Sequence, residues 1–216
     1  MIRLHYYPSN ASFAPHVLLR ELGVPFELVL VDRTQSAHKS AAYLKLNPNG
    51  LIPVLEDGDL VLYETVAILM HLADRFPRAG LAPALGTSQR AHYYKWMAWM
   101  TNTLQATLMH YFYPERMVDE GNTDGAHQVK AQAEAKVGPM LQQLDDQLAA
   151  SGGPFLLGAG LSAADPMAFM LCRWTRGFAS RPARDFPHLG PYLQRLLQRP
   201  SVQQVYEVEQ LPLPRI

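Results

Sequence analysis

The sequence predicts an α/β N-terminal domain of order βαβαββα followed by an all-helical half. Three observations carry this. Residues 1 to about 76 alternate between period-two and helical apolar patterns. From about residue 88 onward no strand signal appears and long helical stretches follow. Between the halves stand Pro77, Gly80, Pro83 and Gly86, a linker composition. The expected division is 1–76, a linker over 77–87, and 88–216.

The elements follow in order. Ile2, Leu4 and Tyr6 alternate with Arg3, His5 and Tyr7, a half-buried strand. The loop Pro8-Ser9-Asn10-Ala11-Ser12 leads into a helix carrying Val17, Leu18 and Leu22, which Gly23 stops as a left-handed terminator. Phe26 to Val31 reads as the second strand, and a short helix ends near Asn47-Pro48. Ile52–Leu55 and Leu60–Tyr63 flank Asp57-Gly58, a strong hairpin signal. Glu64 to Phe76 has a helical stripe of Ile68, Leu69 and Leu72. This order is the thioredoxin-like arrangement.

Beyond the linker, helices are expected over about Ser88–Tyr113, Asp124–Ala150, Ala164–Phe178, His188–Gln198 and Val202–Gln210. Pro139 lies inside the second of these and should kink or break it. Ser162-Ala163-Ala164-Asp165 reads as a capping box. Ser162 would cap the N3 amide, and Asp165 would reach back to the Ser162 N–H.

Composition narrows the function classes. Of 216 residues 48% are apolar and 18% charged, enough for a sizeable core. The 19 basic residues balance the 19 acidic ones, so nothing marks a nucleic-acid or polybasic membrane surface. No apolar run is long enough to span a bilayer, and Met1 to Tyr7 lacks a signal-peptide pattern, so a cytoplasmic location is expected. The single cysteine, Cys172, excludes an internal disulfide framework and a thiolate metal cluster. It falls in an apolar helical stretch and reads as a core residue; no metal site is expected.

The segment Leu51-Ile52-Pro53-Val54-Leu55 carries the most chemistry. A proline cannot donate to a sheet ladder, so Pro53 belongs at a strand start or on an edge. One reading is a strand that begins there. The other is a cis Ile52–Pro53 bond, which would turn the Ile52 N–H and C=O outward to pair with a bound peptide backbone. Glu64-Thr65 then places an acid and a hydroxyl at the next helix N-terminus.

Taken together these pieces resemble the cytosolic glutathione S-transferases over nearly the whole chain. The matching segments are Leu4-His5-Tyr6-Tyr7-Pro8, Ala14-Pro15-His16, Asn47-Pro48-Asn49-Gly50, Leu51 to Leu55, Leu62 to Ile68, and Ser162 to Asp165. The loop Pro8 to Pro15 is most similar to the bacterial beta class, and His38 to Pro48 also resembles delta and theta relatives. The resemblance implies glutathione as co-substrate, bound at the junction of the two domains. It implies a cis Pro53, with Leu51 and Ile52 presenting backbone to the cysteinyl part. Glu64 and Thr65 would hold the γ-glutamyl end, where a helix N-terminus and a hydroxyl suit a carboxylate. His38 is the candidate for the glycyl carboxylate, with Arg33 and Lys39 as nearby cations. Asn102 corresponds to an asparagine that reaches into the partner subunit's site, so a homodimer is implied. His110 stands where beta-class relatives have a lysine, and Met109 where other relatives have a histidine.

The family makes the tripeptide thiol react as a thiolate. A free thiol of pKa about 8.5 is only a few per cent ionised at neutral pH. Lowering that by about two units takes about 2.7 kcal/mol of preferential thiolate stabilisation. Beta-class relatives place a cysteine, and delta-class relatives a serine, at the position held here by Ala11. Ala11 has no side-chain donor, so the candidates are Ser12, then Asn10, then Ser9, then Tyr6 or Tyr7. The alternative for Ser12 is a plain helix cap.

Trp96, Met97, Trp99, Met100, Tyr111 and Tyr113 make the first long helix rich in aromatic and polarizable groups, which suits a small apolar electrophile. Conjugation of glutathione to such an electrophile is the leading expectation. Glutathione-dependent disulfide or peroxide reduction, and a non-catalytic binding module, are the alternatives.

Overall fold

A computed structural model describes all residues, 1–216. The chain forms two compact units, Met1–Ala82 with Leu196–Leu213, and Pro83–Arg195 with Pro214–Ile216.

The first unit is built on strands β1 (Ile2–Tyr6), β2 (Phe26–Leu30), β3 (Val54–Asp57) and β4 (Leu60–Tyr63) and helices α1 (Phe13–Leu22), α2 (Ala41–Leu44) and α3 (Thr65–Arg75). The sheet order is β2-β1-β3-β4. β1 runs parallel to β2 with Leu4 opposite Leu28, and antiparallel to β3 with Leu4 opposite Leu55. This is the thioredoxin-like topology. Ile68, Leu69 and Leu72 on α3 are fully buried, as are Leu18 and Leu19 on α1. Each such side chain contributes about 1.5–3 kcal/mol of burial free energy. Gly23 ends α1 at φ +63° and donates to the Arg20 carbonyl, the expected left-handed stop. β3 begins at Val54 rather than at Ile52, because Pro53 has no N–H to enter the ladder.

The second unit holds α4 (Ser88–Trp99), α5 (Ala106–Phe112), α6 (Thr123–Ala150), α7 (Ala164–Trp174) and most of α8 (Leu189–Leu197). The expected helix over Ser88–Tyr113 is present to Phe112, with a π-helical segment at Met100–Gln105 in its middle. Pro139 does not break α6, which runs unbroken from Thr123 to Ala150. Pro139 and Ala135 both lie on the exposed face, so water can satisfy the carbonyl that the proline leaves unbonded.

The expected capping box forms only in part. Asp165 reaches back to the Ser162 N–H at 2.7 Å, but the Ser162 hydroxyl donates to that same carboxylate at 3.0 Å instead of accepting from the N3 amide. The reason is burial. Asp165 is fully enclosed and also accepts from the Leu156 N–H and the Tyr192 hydroxyl, both at 2.9 Å. Burial pushes its carboxyl above the usual range against the pull of these bonds. Cys172 is buried on α7, where burial pushes its thiol up to about 12.

The last helix, α9 (Pro200–Val208), belongs by its packing to the first unit. It lies along α1: Phe13 meets Tyr206 edge to face, and Arg199 and Ser201 bond the Glu21 carboxylate. The sequence reading placed this segment with the helical half. The stripe Val202, Val205, Tyr206 that buries it carries no information about which unit it covers.

Candidate active site

Three pieces of the first unit meet around the loop after β1. The loop Tyr7–Ser12 ends at the N-terminus of α1. Thr65 opens α3 and is buried, with its hydroxyl 3.5 Å from the Ala11 carbonyl oxygen. The Ile52–Pro53 bond is cis, as the family resemblance implied, and Ile52 lies outside the sheet registers, which start at Val54.

The Ile52 segment is held by groups that sequence reading passed over. The Leu51 carbonyl accepts from the Tyr43 hydroxyl and from the Asn47 side-chain amide, both at 2.8 Å. Asn47 is buried, and its oxygen takes the Asn49 N–H at 3.0 Å. Burial pushes the Tyr43 phenol up, so it stays a donor. Gly50, at φ +61°, passes so close to this turn that a Cβ there would sit 3.0 Å from the His38 carbonyl oxygen. The motif Asn47-Pro48-Asn49-Gly50 was the available signal for this clamp. Leu51 itself is exposed, so its contribution is backbone.

Glu64 stands at the N-terminus of α3 with φ +74° and an exposed side chain that caps nothing. Such a conformation costs a non-glycine residue about 1–3 kcal/mol. No acidic side chain lies in the first turn of α3, so its free amides and positive dipole end are open to an anion.

His38 lies in a short 3₁₀ turn, Ala37–Lys39, where its Nδ1 is buried without a hydrogen-bond partner. Burial, with the charges of Arg33 and Lys39, lowers its pKa. Arg33 stacks over the Tyr7 ring at 5.8 Å.

The loop gives Ser12 partners that its residue type does not announce. Ser12 is fully buried, and its hydroxyl accepts from the Tyr7 N–H at 3.2 Å while donating to the Tyr7 carbonyl at 3.1 Å. It makes no helix-capping bond either. The hydroxyl's one proton is thus committed to closing the loop. Asn10 is half-buried, and its oxygen accepts the Ala11 N–H at 2.7 Å, which leaves the side-chain NH₂ as a donor. Ser9 adopts φ +62°, and its N–H donates to Glu209 at 3.0 Å. Burial first, and then the Glu209 charge, raises the Tyr6 phenol.

In the second unit Asn102 sits exposed within the π-helical segment, and His110 is exposed on α5. Of the aromatic and methionine stripe, Trp96, Met97 and Met100 are core residues, whereas Tyr111 and Tyr113 are only half-buried. No three His, Cys, Asp or Glu side chains group as a metal site.

Comparison with known proteins agrees with this geometry. Residues 1–74 match the family model for the glutathione S-transferase N-terminal domain, and residues 104–208 match that for a glutathione S-transferase C-terminal domain. Glutathione S-transferase GstA of Escherichia coli is 29% identical over 213 residues, 97% of this chain and 100% of that one. A glutathione transferase homologue from Sulfitobacter, solved with bound glutathione, superposes with a TM-score of 0.88 at 26% identity, covering 98% of this chain and 99% of that one. The beta-class glutathione S-transferase of Sphingomonas chungbukensis gives a TM-score of 0.80 at 30% identity, over 97% of this chain and 100% of that one. With both halves matched in order, and the cis proline and the α3 N-terminus in place, the chain belongs to the glutathione S-transferase family.

Proposed function

We propose that this protein binds glutathione, ionises its thiol and transfers it to small apolar electrophiles. One observation carries the reading: the loop at the α1 N-terminus, Thr65 at the α3 N-terminus and the cis Ile52–Pro53 segment belong to one compact unit, with Thr65 against Ala11. The Ile52 backbone pairs with the cysteinyl part of the tripeptide. Glu64 pairs with the γ-glutamyl ammonium, while Thr65 and the free α3 amides take its carboxylate. His38, Arg33 and Lys39 receive the glycyl carboxylate. A carboxylate brought to His38 favours the protonated ring, opposing the two neighbouring cations.

For the thiol, the donor with capacity to spare is the Asn10 side-chain NH₂, backed by the α1 dipole and the loop amides. Ser9 supplies backbone to the same loop, and Ser12 holds that loop shut. A homodimer goes with this reading, in which Asn102 would act on the partner's glutathione and His110 is a further candidate of the helical unit. In the helical unit the half-buried Tyr111 and Tyr113 are the candidates for contact with the electrophile. A cytoplasmic location goes with this reading. No helix is long and apolar enough to cross a membrane.

The test is calorimetric titration with glutathione, followed by conjugation to an activated aryl halide. Binding below millimolar together with conjugate formation supports the reading. Absence of heat at millimolar glutathione refutes it.

A further inference from the structure

The Leu51 carbonyl takes two donors where one would satisfy it. The Tyr43 hydroxyl and the Asn47 side-chain NH₂ both reach it at 2.8 Å. Both donors are buried, on α2 and just beyond its end. Leu51 stands at the surface, 57% exposed, so its own burial does not call for them. A phenylalanine at 43 would fill the same space with no polar group to satisfy.

What two donors supply is direction. A trans peptide is planar, with its C=O and N–H pointing to opposite sides. The Leu51–Ile52 peptide is trans, since the chain's one cis bond is Ile52–Pro53. Fixing the Leu51 carbonyl toward Tyr43 and Asn47 therefore fixes the Ile52 N–H away from them. That N–H lies before the sheet registers begin and has no acceptor in the chain.

The two donors are themselves held. Tyr43 packs with Val31, Ile52 and Val54, and the His5 ring meets its ring edge to face at 5.9 Å. His5 is in turn 2.7 Å from Glu56 on β3. The Asn47 side-chain oxygen accepts the Asn49 N–H at 3.0 Å, which turns its NH₂ toward Leu51. The Asn47 N–H donates to the Tyr43 carbonyl at 3.0 Å, and its carbonyl accepts from the Gly50 N–H at 2.9 Å. Neither donor can swing without moving the sheet or this turn.

We propose that Tyr43 and Asn47 are positioning residues, which aim the Ile52 N–H at the cysteinyl carbonyl of glutathione. They set the affinity for the tripeptide and leave ionisation of its thiol to the Asn10 loop. This rests on the function proposed above.

Tyr43→Phe and Asn47→Ala each remove one donor, and the phenylalanine keeps the ring. Calorimetry should show glutathione bound about three- to tenfold more weakly by each variant, with KM raised by the same factor. At saturating glutathione kcat should stay within about twofold, and the ultraviolet midpoint of the bound thiol should not move. A second ligand separates aim from general damage. In the depsipeptide of glutathione an ester replaces the cysteinyl–glycyl amide, and an ester carbonyl is the weaker acceptor. The wild type should bind it about three- to tenfold more weakly than glutathione. In Tyr43→Phe that ratio should fall toward one, since a misdirected N–H gains little from the better carbonyl.

An unchanged ratio in a folded variant overturns the proposal. So does a loss carried by kcat with a moved ultraviolet midpoint. Should neither variant fold, the Ile52 amide resonance of the wild-type protein decides: a downfield shift and slowed hydrogen exchange on adding glutathione support the aim, and an unmoved resonance overturns it. A wild-type protein that binds no glutathione refutes the function and this role together, whereas normal wild-type binding with unmoved variants refutes only the role of Tyr43 and Asn47.

Discussion

Replacing Ser12 by alanine separates holding the loop from activating the thiol. The hydroxyl is fully buried and spends its donor and its acceptor on the Tyr7 backbone, at 3.1 and 3.2 Å. Its removal leaves the Tyr7 N–H without this acceptor, at a cost of about 1–3 kcal/mol, and loses a second bond of about 1 kcal/mol. The sum, about 2–4 kcal/mol, is a sizeable part of the 5–15 kcal/mol typical of a folded protein. For a chain of this size it corresponds to a melting point lower by roughly 4–15 °C. Asn10→Ala is the matched change. Asn10 is half-buried and accepts one bond, so its stability cost is below about 1.5 kcal/mol, while the thiolate loses a direct donor. The assay measures thermal unfolding and the ultraviolet titration of bound glutathione on both variants. Ser12→Ala should be destabilised, with a titration moved less than that of Asn10→Ala. Asn10→Ala should melt near the wild type with the titration moved upward. A Ser12→Ala protein as stable as wild type with the larger titration shift would refute the reasoning and return the catalytic assignment to Ser12.

Three further outcomes follow from the geometry. Asp165→Ala strips the acceptor from the buried Leu156 and Ser162 amides and from the Tyr192 hydroxyl, so urea unfolding should show a loss of about 3–5 kcal/mol without a direct effect on glutathione affinity. Burial pushes the Glu21 carboxyl up, but hydrogen bonds from Arg199 and Ser201 and the Arg199 charge outweigh it, so its folded pKa is lowered. That contribution is present above the unfolded value of about 4.3 and is lost as pH falls through the lower folded value; Arg199→Ala should therefore destabilise by about 1–2 kcal/mol at pH 7, with the difference closing below about pH 4. Thr65→Val keeps the buried shape but removes the hydroxyl, and calorimetry should show glutathione affinity reduced by about 1.5–3 kcal/mol, with the fold intact.

Much of the fold and part of the site could be read from the chain because the deciding interactions are local. Gly23 stops α1, Asp57-Gly58 turns β3 into β4, and Pro53 and Thr65 announce themselves by residue type and by what surrounds them. Ser12 was ambiguous because its type fits both a catalytic donor and a cap, and the bonds it makes are to the backbone of Tyr7, five residues earlier. Pro139 does not break α6, because a proline's effect on a helix depends on whether the freed carbonyl faces water, which no local pattern states. Glu209 escaped altogether. Its one sequence mark is an acid on the apolar stripe of Val202, Val205 and Tyr206, and its partners lie near the other end of the chain. Tyr43 and Asn47 were within reach, since the Asn47-Pro48-Asn49-Gly50 turn brings the amide to the Leu51 carbonyl, but their bonds depend on the tertiary position of that turn.

The central claim is that this loop, with alanine at the position where relatives carry their catalytic side chain, still ionises glutathione. Ultraviolet difference titration of the wild-type complex at saturating glutathione tests it most directly. The account predicts thiolate absorbance with a midpoint at least one pH unit below that of the free thiol at about 8.5, a shift worth about 1.4 kcal/mol or more. A bound thiol that titrates where free glutathione does would contradict it, because the site would then hold the tripeptide without activating it.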